Sequence, residues 1–155
     1  MPKYACSAIT SATEIQGFIK QYFNKNKSSY IQANALIQSK AVNPFFSGYI
    51  GNHDIWKTDF KDTKTINIEG RYVNKKSRTE LGVGWSNIID YVYFDTTAMP
   101  QQTSKALIVL TAWGKQVFKA GHFRFDQTLY FQKSTQKEIL SLPALSLYSH
   151  NYYEN

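Results

Sequence analysis

Cysteine is almost absent from the chain: Cys6 is the single one in 155 residues. No disulfide can therefore form within the chain, and no paired-cysteine zinc site can exist, which sets a reducing compartment as the expectation. Long apolar runs are missing too. Nothing approaches the roughly 20 consecutive apolar residues of a membrane-spanning helix, and Met1-Pro2-Lys3-Tyr4 lacks the apolar core of a secretory signal. A soluble, intracellular protein is expected. The nucleotide and metal motifs are absent as well: Gly82-Val83-Gly84 does not continue to a third glycine at the dinucleotide-binding spacing, and neither a phosphate loop nor a His-x-x-x-His pair occurs. No cofactor and no metal are expected. Internal repeats, low-complexity tracts, and RNA-recognition or zinc-finger motifs are likewise missing.

What the chain does have is apolar and aromatic material, at 43% and 15% of its residues, enough for one domain over 1-155 with a real core. It also carries a net charge of +7, which points to an anionic partner such as RNA or an acidic protein surface. The cations fall in groups: Lys20, Lys25 and Lys27; Lys57, Lys61 and Lys64; and, most densely, Arg71, Lys75, Lys76 and Arg78. The last group is the candidate RNA contact. Each group also reads as a solvated face.

The most informative stretch runs from Lys105 to Lys133. Leu107, Val109, Thr111 and Trp113 alternate with Ala106, Ile108, Leu110 and Ala112, so this strand is apolar on both faces and needs cover on both. After a turn at Lys119-Ala120-Gly121, Phe123, Phe125, Leu129 and Phe131 share one face, while His122, Arg124, Asp126 and Thr128 share the other. A long antiparallel hairpin with one wet face is predicted. Gln127 falls on the apolar face, where its amide needs hydrogen-bond partners, and it reads as a satisfied structural residue.

Elsewhere, Ser11-Ala12-Thr13-Glu14 has the spacing of a capping box, and Ile15, Phe18, Ile19, Tyr22 and Phe23 follow at helical spacing. An amphipathic helix is predicted there, with a second, short one through Tyr30, Ala33, Leu36 and Ile37 that ends before Pro44. Strand fragments and loop follow from Phe45 to Asp62, then a strand from Thr65 to Val73. A short helix from Ser77 to Asn87, a strand from Ile88 to Thr96, and a last strand from Leu140 to Tyr152 interrupted at Pro143 complete the order. The expected fold class is α+β: a curved antiparallel sheet with two or three helices packed on one face.

That order, with Gly114 followed by Phe125-Asp126-Gln127-Thr128-Leu129-Tyr130-Phe131 and the opening Phe18-Ile19-Lys20-Gln21-Tyr22-Phe23, resembles the nuclear transport factor 2-like family. Within that family it is most similar to the small subunit of the messenger-RNA export receptor heterodimer. Ser149-His150-Asn151-Tyr152-Tyr153 approximates the family's closing strand, and Tyr49 to Lys64 has no place in the pattern. Lys133 and Lys137 stand in the loop where Ran carriers are acidic, which disfavours a Ran-carrier role.

The resemblance implies a non-enzymatic adaptor that heterodimerises with a larger related subunit and supports export of messenger RNA through nuclear pores. It would shuttle between nucleus and cytoplasm. Its implied partners are that subunit or a second copy, Phe-Gly nucleoporin repeats and RNA. The implied interface is Leu107, Val109, Trp113, Phe125, Gln127 and Tyr130. Two alternatives stand beside it. One is a cavity-forming isomerase or dehydratase of the same fold, with His53, Asp54, Asp90, Tyr91 and Asp95 as candidates. The other is a homodimerising scaffold module.

Overall fold

Ile31, Ala33, Ala35 and Ile37 alternate with Gln32, Asn34, Leu36 and Gln38, and this period of two decides the structure over the helical spacing. The computed structural model describes residues 5–9, 13–23, 25–50 and 55–154. They form β1 (Ala5–Ile9), β2 (Glu14–Tyr22), β3 (Ser29–Lys40), the short helix α1 (Pro44–Ser47), β4 (Gly48–Ile50) and β5 (Ile55–Lys57). Next come β6 (Thr63–Asn74), β7 (Thr79–Ile89), β8 (Val92–Phe94) and β9 (Pro100–Gln102). β10 (Leu107–Ala120), β11 (Phe123–Ser134) and β12 (Leu145–Tyr153) complete the chain.

The protein is thus nearly all-β, which overturns the α+β expectation with two or three packed helices. All three predicted helices fall on strands: the first on β2, the second on β3, and Thr79 to Asn87 of the third on β7, with Ser77 and Arg78 in the turn before it. The reason is visible in β2. Ile15 and Ile19 point to one face of the sheet, and Phe18 and Tyr22 to the other. Superposed, the two alternating sets imitate a helical stripe. The capping-box residues Ser11 and Ala12 lie outside the described residues.

An 8-stranded antiparallel sheet runs in the order β1-β2-β3-β6-β7-β10-β11-β12, so sequence neighbours pair and β1 and β12 are its edges. The expected hairpin is β10–β11, with Lys115 opposite Thr128 and Ala120 opposite Phe123. Gly121 opens its turn at φ 60, a left-handed conformation that glycine adopts without a Cβ penalty.

The two ends of the sheet differ. At one end the connections are short: Phe23 to Ser28, Lys75 to Arg78, and Gly121 with His122. At the other end three of the connections are long, spanning 41–62, 90–106 and 135–144. The first two long connections carry small hairpins of their own, β4–β5 and β8–β9, and they lean on each other. Phe94 stacks near Phe46 at 5.0 Å and meets Trp56 edge-on at 6.0 Å. Gln102 Nε2 donates to the Lys61 carbonyl at 2.7 Å, and its Oε1 accepts from the Lys61 amide at 3.1 Å. Leu107, close to this end, is fully buried, with Val92 and Val109 buried beside this end as well.

Candidate functional site

Directly paired residues in a sheet share a face, so the register sorts every side chain of the main strands into one of two sets. One complete row reads Lys20, Gln32, Arg71, Gly82, Trp113, Tyr130 and Ser146. The adjacent row on the same face reads Phe18, Asn34, Glu69, Gly84, Thr111 and Gln132. Side chains of these rows, drawn from strands between β2 and β11, line one concavity of about 740 Å3. The sheet therefore curves toward this face.

The opposite, convex face reads Ile19, Ala33, Gly70, Val83, Ala112, Phe131 and Leu145 in one row. The next row is Gly17, Ala35, Ile68, Trp85, Leu110 and Lys133. These apolar side chains are open to the surroundings: Ile68 is 51% exposed, Val83 62% and Leu145 64%. Contiguous apolar surface across a whole sheet is not a face that stays in water.

Charge divides the same way. On the main strands Glu14, Lys20, Lys40, Glu69, Arg71, Glu80, Lys115, Lys119, Arg124 and Asp126 are all on the concave face. On the convex face, among the described residues, only Lys64 and Lys133 are charged, and both lie close to the long-connection ends of their strands. A lysine at that level can carry its ammonium outward along its aliphatic stem.

The concave wall is hydrogen-bonded along its length. Arg71 Nη2 donates to Gln32 Oε1 at 2.9 Å, Gln32 Nε2 to Asn34 Oδ1 at 2.8 Å, and Asn34 Nδ2 to Glu69 Oε1 at 3.5 Å. Lys20 Nζ sits 3.8 Å from the centre of the Tyr30 ring, held by cation–π attraction. Near the short-turn end Arg124 pairs with Asp126 and with Glu154, and Lys119 with Glu154.

The implied interface residues fall on both faces. Leu107, Val109, Trp113 and Tyr130 belong to the concave face, Phe125 and Gln127 to the convex one. Gln127 finds the partners its amide needs, donating to Ser149 Oγ at 2.8 Å and Asn151 Oδ1 at 2.9 Å. Arg71 lies on the concave wall, apart from Lys75, Lys76 and Arg78, which belong to the β6–β7 turn.

Asp90 and Asp95, two of the catalytic candidates, take part in hydrogen bonds of the 90–106 connection. The Asp90 carbonyl accepts from Thr63 Oγ1 at 3.0 Å and Gln102 Nε2 at 2.8 Å. Asp95 Oδ1 accepts from Thr97 Oγ1 at 2.6 Å and from the Thr97 and Met99 amides, and these bonds hold its carboxyl below the usual carboxylate range. Tyr91 lines a separate cavity of about 210 Å3 beneath α1. His53 and Asp54 lie outside the described residues. Among the described residues no His/Cys/Asp/Glu cluster could hold a metal ion.

Sequence reasoning missed the wall itself: Gln16, Gln32, Asn34, Asn67 and Glu69. The signal was present in Thr65, Asn67, Glu69 and Arg71 of β6, polar at every second position.

Among the described residues no helix is long and apolar enough to cross a membrane, a statement about helices alone. A family model described as "Putative porin" matches residues 4–155. No curated protein and no solved structure matches the chain. The family match overturns the resemblance to the nuclear transport factor 2-like family. With it go the export-adaptor role, the nucleoporin, RNA and larger-subunit partners, and the nuclear and soluble intracellular location. Porins are non-enzymatic, in agreement with the expectation that the chain is no enzyme, and the isomerase or dehydratase alternative falls with the fold that carried it. Across nearly its whole length, the chain belongs to this porin family.

Proposed function

We propose that the sheet is the wall of a β-barrel channel in an outer membrane, with the convex face against lipid and the concave face lining a water-filled path for small solutes. The observation that carries this reading is the division of charge: ionisable side chains crowd the concave face and leave the middle of the convex one. Only closed barrels and helices satisfy every backbone group inside a bilayer, so this reading requires the edge strands β1 and β12, which do not pair with each other in the described sheet, to find strand partners in the membrane. Membrane strands of about 9–11 residues suffice when tilted, and β2 to β12 of the main sheet run from 9 to 14. Short turns at one end and long connections at the other match the periplasmic and extracellular ends of such barrels.

The test is electrical. Protein refolded into a planar bilayer is expected to give stepwise, ohmic conductance. Folded protein that inserts and passes no current would reject the channel reading.

A further inference from the structure

We propose that Lys64 and Lys133 are binding points for the phosphate groups of anionic membrane lipids, one headgroup at each, along the rim of the convex face at the long-connection end. The proposal rests on the membrane reading above and adds to it a class of lipid.

The two lysines stand at one level. Lys64 is the second residue of β6 and Lys133 the last but one of β11. Through the register, Lys133 shares a row with Leu110, Trp85 and Ile68, and Ile68 is four residues along β6 from Lys64. The strand ends are displaced by the same amount, since Ser134 at the end of β11 shares a row with Asn67, four residues on from Thr63 at the start of β6. A stagger of this kind belongs to strands tilted against a barrel axis. Measured from the strand ends, the two lysines therefore lie at the same depth.

Both side chains are exposed, and neither ammonium makes an ion pair among the described residues. β7 and β10 lie between β6 and β11, which sets the lysines three strand intervals, roughly 14 Å, apart across the sheet. One phosphate does not bridge that distance, so each cation takes its own headgroup. The acidic residues at this end, Asp59, Asp62, Asp90, Asp95 and Glu138, belong to the connections and not to the convex face of the strands.

The opposite rim of the same face is built differently. There the strands present Phe118, Phe123, Phe125 and Tyr153 with the amides of Gln127 and Asn151, and no charge among the described residues. A lysine that needed only water for its ammonium would serve at either rim. Cations confined to one rim, with no acid beside them on the face, complement a leaflet whose headgroups are negative.

For the test, the full chain is folded into phosphatidylcholine vesicles at low salt with a trace of spin-labelled phosphatidylglycerol or spin-labelled phosphatidylcholine. Electron paramagnetic resonance reads the motionally restricted fraction of each label. Phosphatidylglycerol is expected to be the more restricted, and Lys64→Gln and Lys133→Gln each to lower that preference, the full loss at one site being about fivefold. Lys64→Arg with Lys133→Arg is expected to preserve it, and so is Lys75→Gln with Lys76→Gln, in the turn at the other end. Equal restriction of the two labels by the folded chain overturns the lipid sites alone. So does a preference that is unchanged in the double glutamine variant, or lost to the same extent in the turn variant. No restricted component with either label overturns the membrane reading itself.

Discussion

The indole of Trp113 lies across its register partner Gly82, so close that a Cβ built on Gly82 would collide with the ring. Glycine is required there by the aromatic ring beside it, since the backbone of β7 becomes the floor on which the indole rests. Gly82→Ala is therefore expected to destabilise the fold by about 1–3 kcal/mol, the usual range for overpacking. Gly84→Ala, whose nearest neighbour would be Thr111 Cβ at 3.8 Å, should change stability little. Urea unfolding of the vesicle-folded variants measures both, and equal midpoints would contradict the assignment.

Leu110 and Thr111 are consecutive but face opposite ways, Leu110 in the convex row with Trp85 and Thr111 in the concave row with Gly84. Leu110→Arg is expected to impair insertion at a cost of about 2–4 kcal/mol, as for arginine on the lipid side near a bilayer midplane. Thr111→Arg should still insert. The readout is the folded fraction recovered in vesicles, and equal recovery of the two variants would count against the assignment of faces.

Beyond the end of β12, Glu154 ties the last strand to the β10–β11 hairpin, accepting from Lys119 Nζ at 2.8 Å and Arg124 Nη1 at 3.1 Å. The hydrogen bond from Lys119, then that from Arg124, holds its carboxyl below the ordinary glutamate value. A depressed native value stabilises the fold above the unfolded glutamate pKa, about 4.3, and that contribution disappears as pH falls through the native value. Protection of the Tyr152 and Tyr153 amides from hydrogen exchange should therefore weaken on acidification below this range. Glu154→Gln should remove the step; an identical step in the variant would refute it.

Phe94 is the shared contact of the two long connections, lying 5.0 Å from Phe46, 6.0 Å from Trp56 and 6.3 Å from Phe45. Phe94→Ala is expected to loosen these connections and leave the main sheet intact. Limited trypsin digestion should then cut faster after Lys57 and Lys61, with no change in the β-sheet circular dichroism signal. Unaltered cleavage would show that the aromatic cluster does not hold them.

The β10–β11 hairpin was legible because Arg124, Asp126 and Thr128 alternate cleanly with Phe123, Phe125 and Leu129. β2 and β3 were not, because Phe18, Tyr22, Tyr30 and Leu36 stand on the concave wall and break the polar half of the alternation. The two apolar faces of β10 were also legible, but not what covers them. Leu107 and Val109 are buried on one face, near the long-connection end, while Leu110 on the other remains 48% exposed. Periodicity reports that a face is apolar and does not distinguish a protein neighbour from lipid, so a partner subunit was inferred where the family match points to a bilayer. The candidate site was the least legible part. Gln32, Asn34 and Glu69 become one group only when β3 and β6 pair in register.

The most direct test of the central claim compares Trp85, on the convex face, with Trp113, on the concave one. Single-tryptophan proteins retaining either residue, with the others changed to phenylalanine, are folded into vesicles and exposed to bromine-labelled acyl chains or to aqueous iodide. Trp85 is expected to be quenched by the brominated lipid and spared by iodide, and Trp113 by iodide and spared by the lipid. The reverse pattern, or equal quenching of both by iodide with none by lipid, would contradict a convex face in the membrane and a concave face in water.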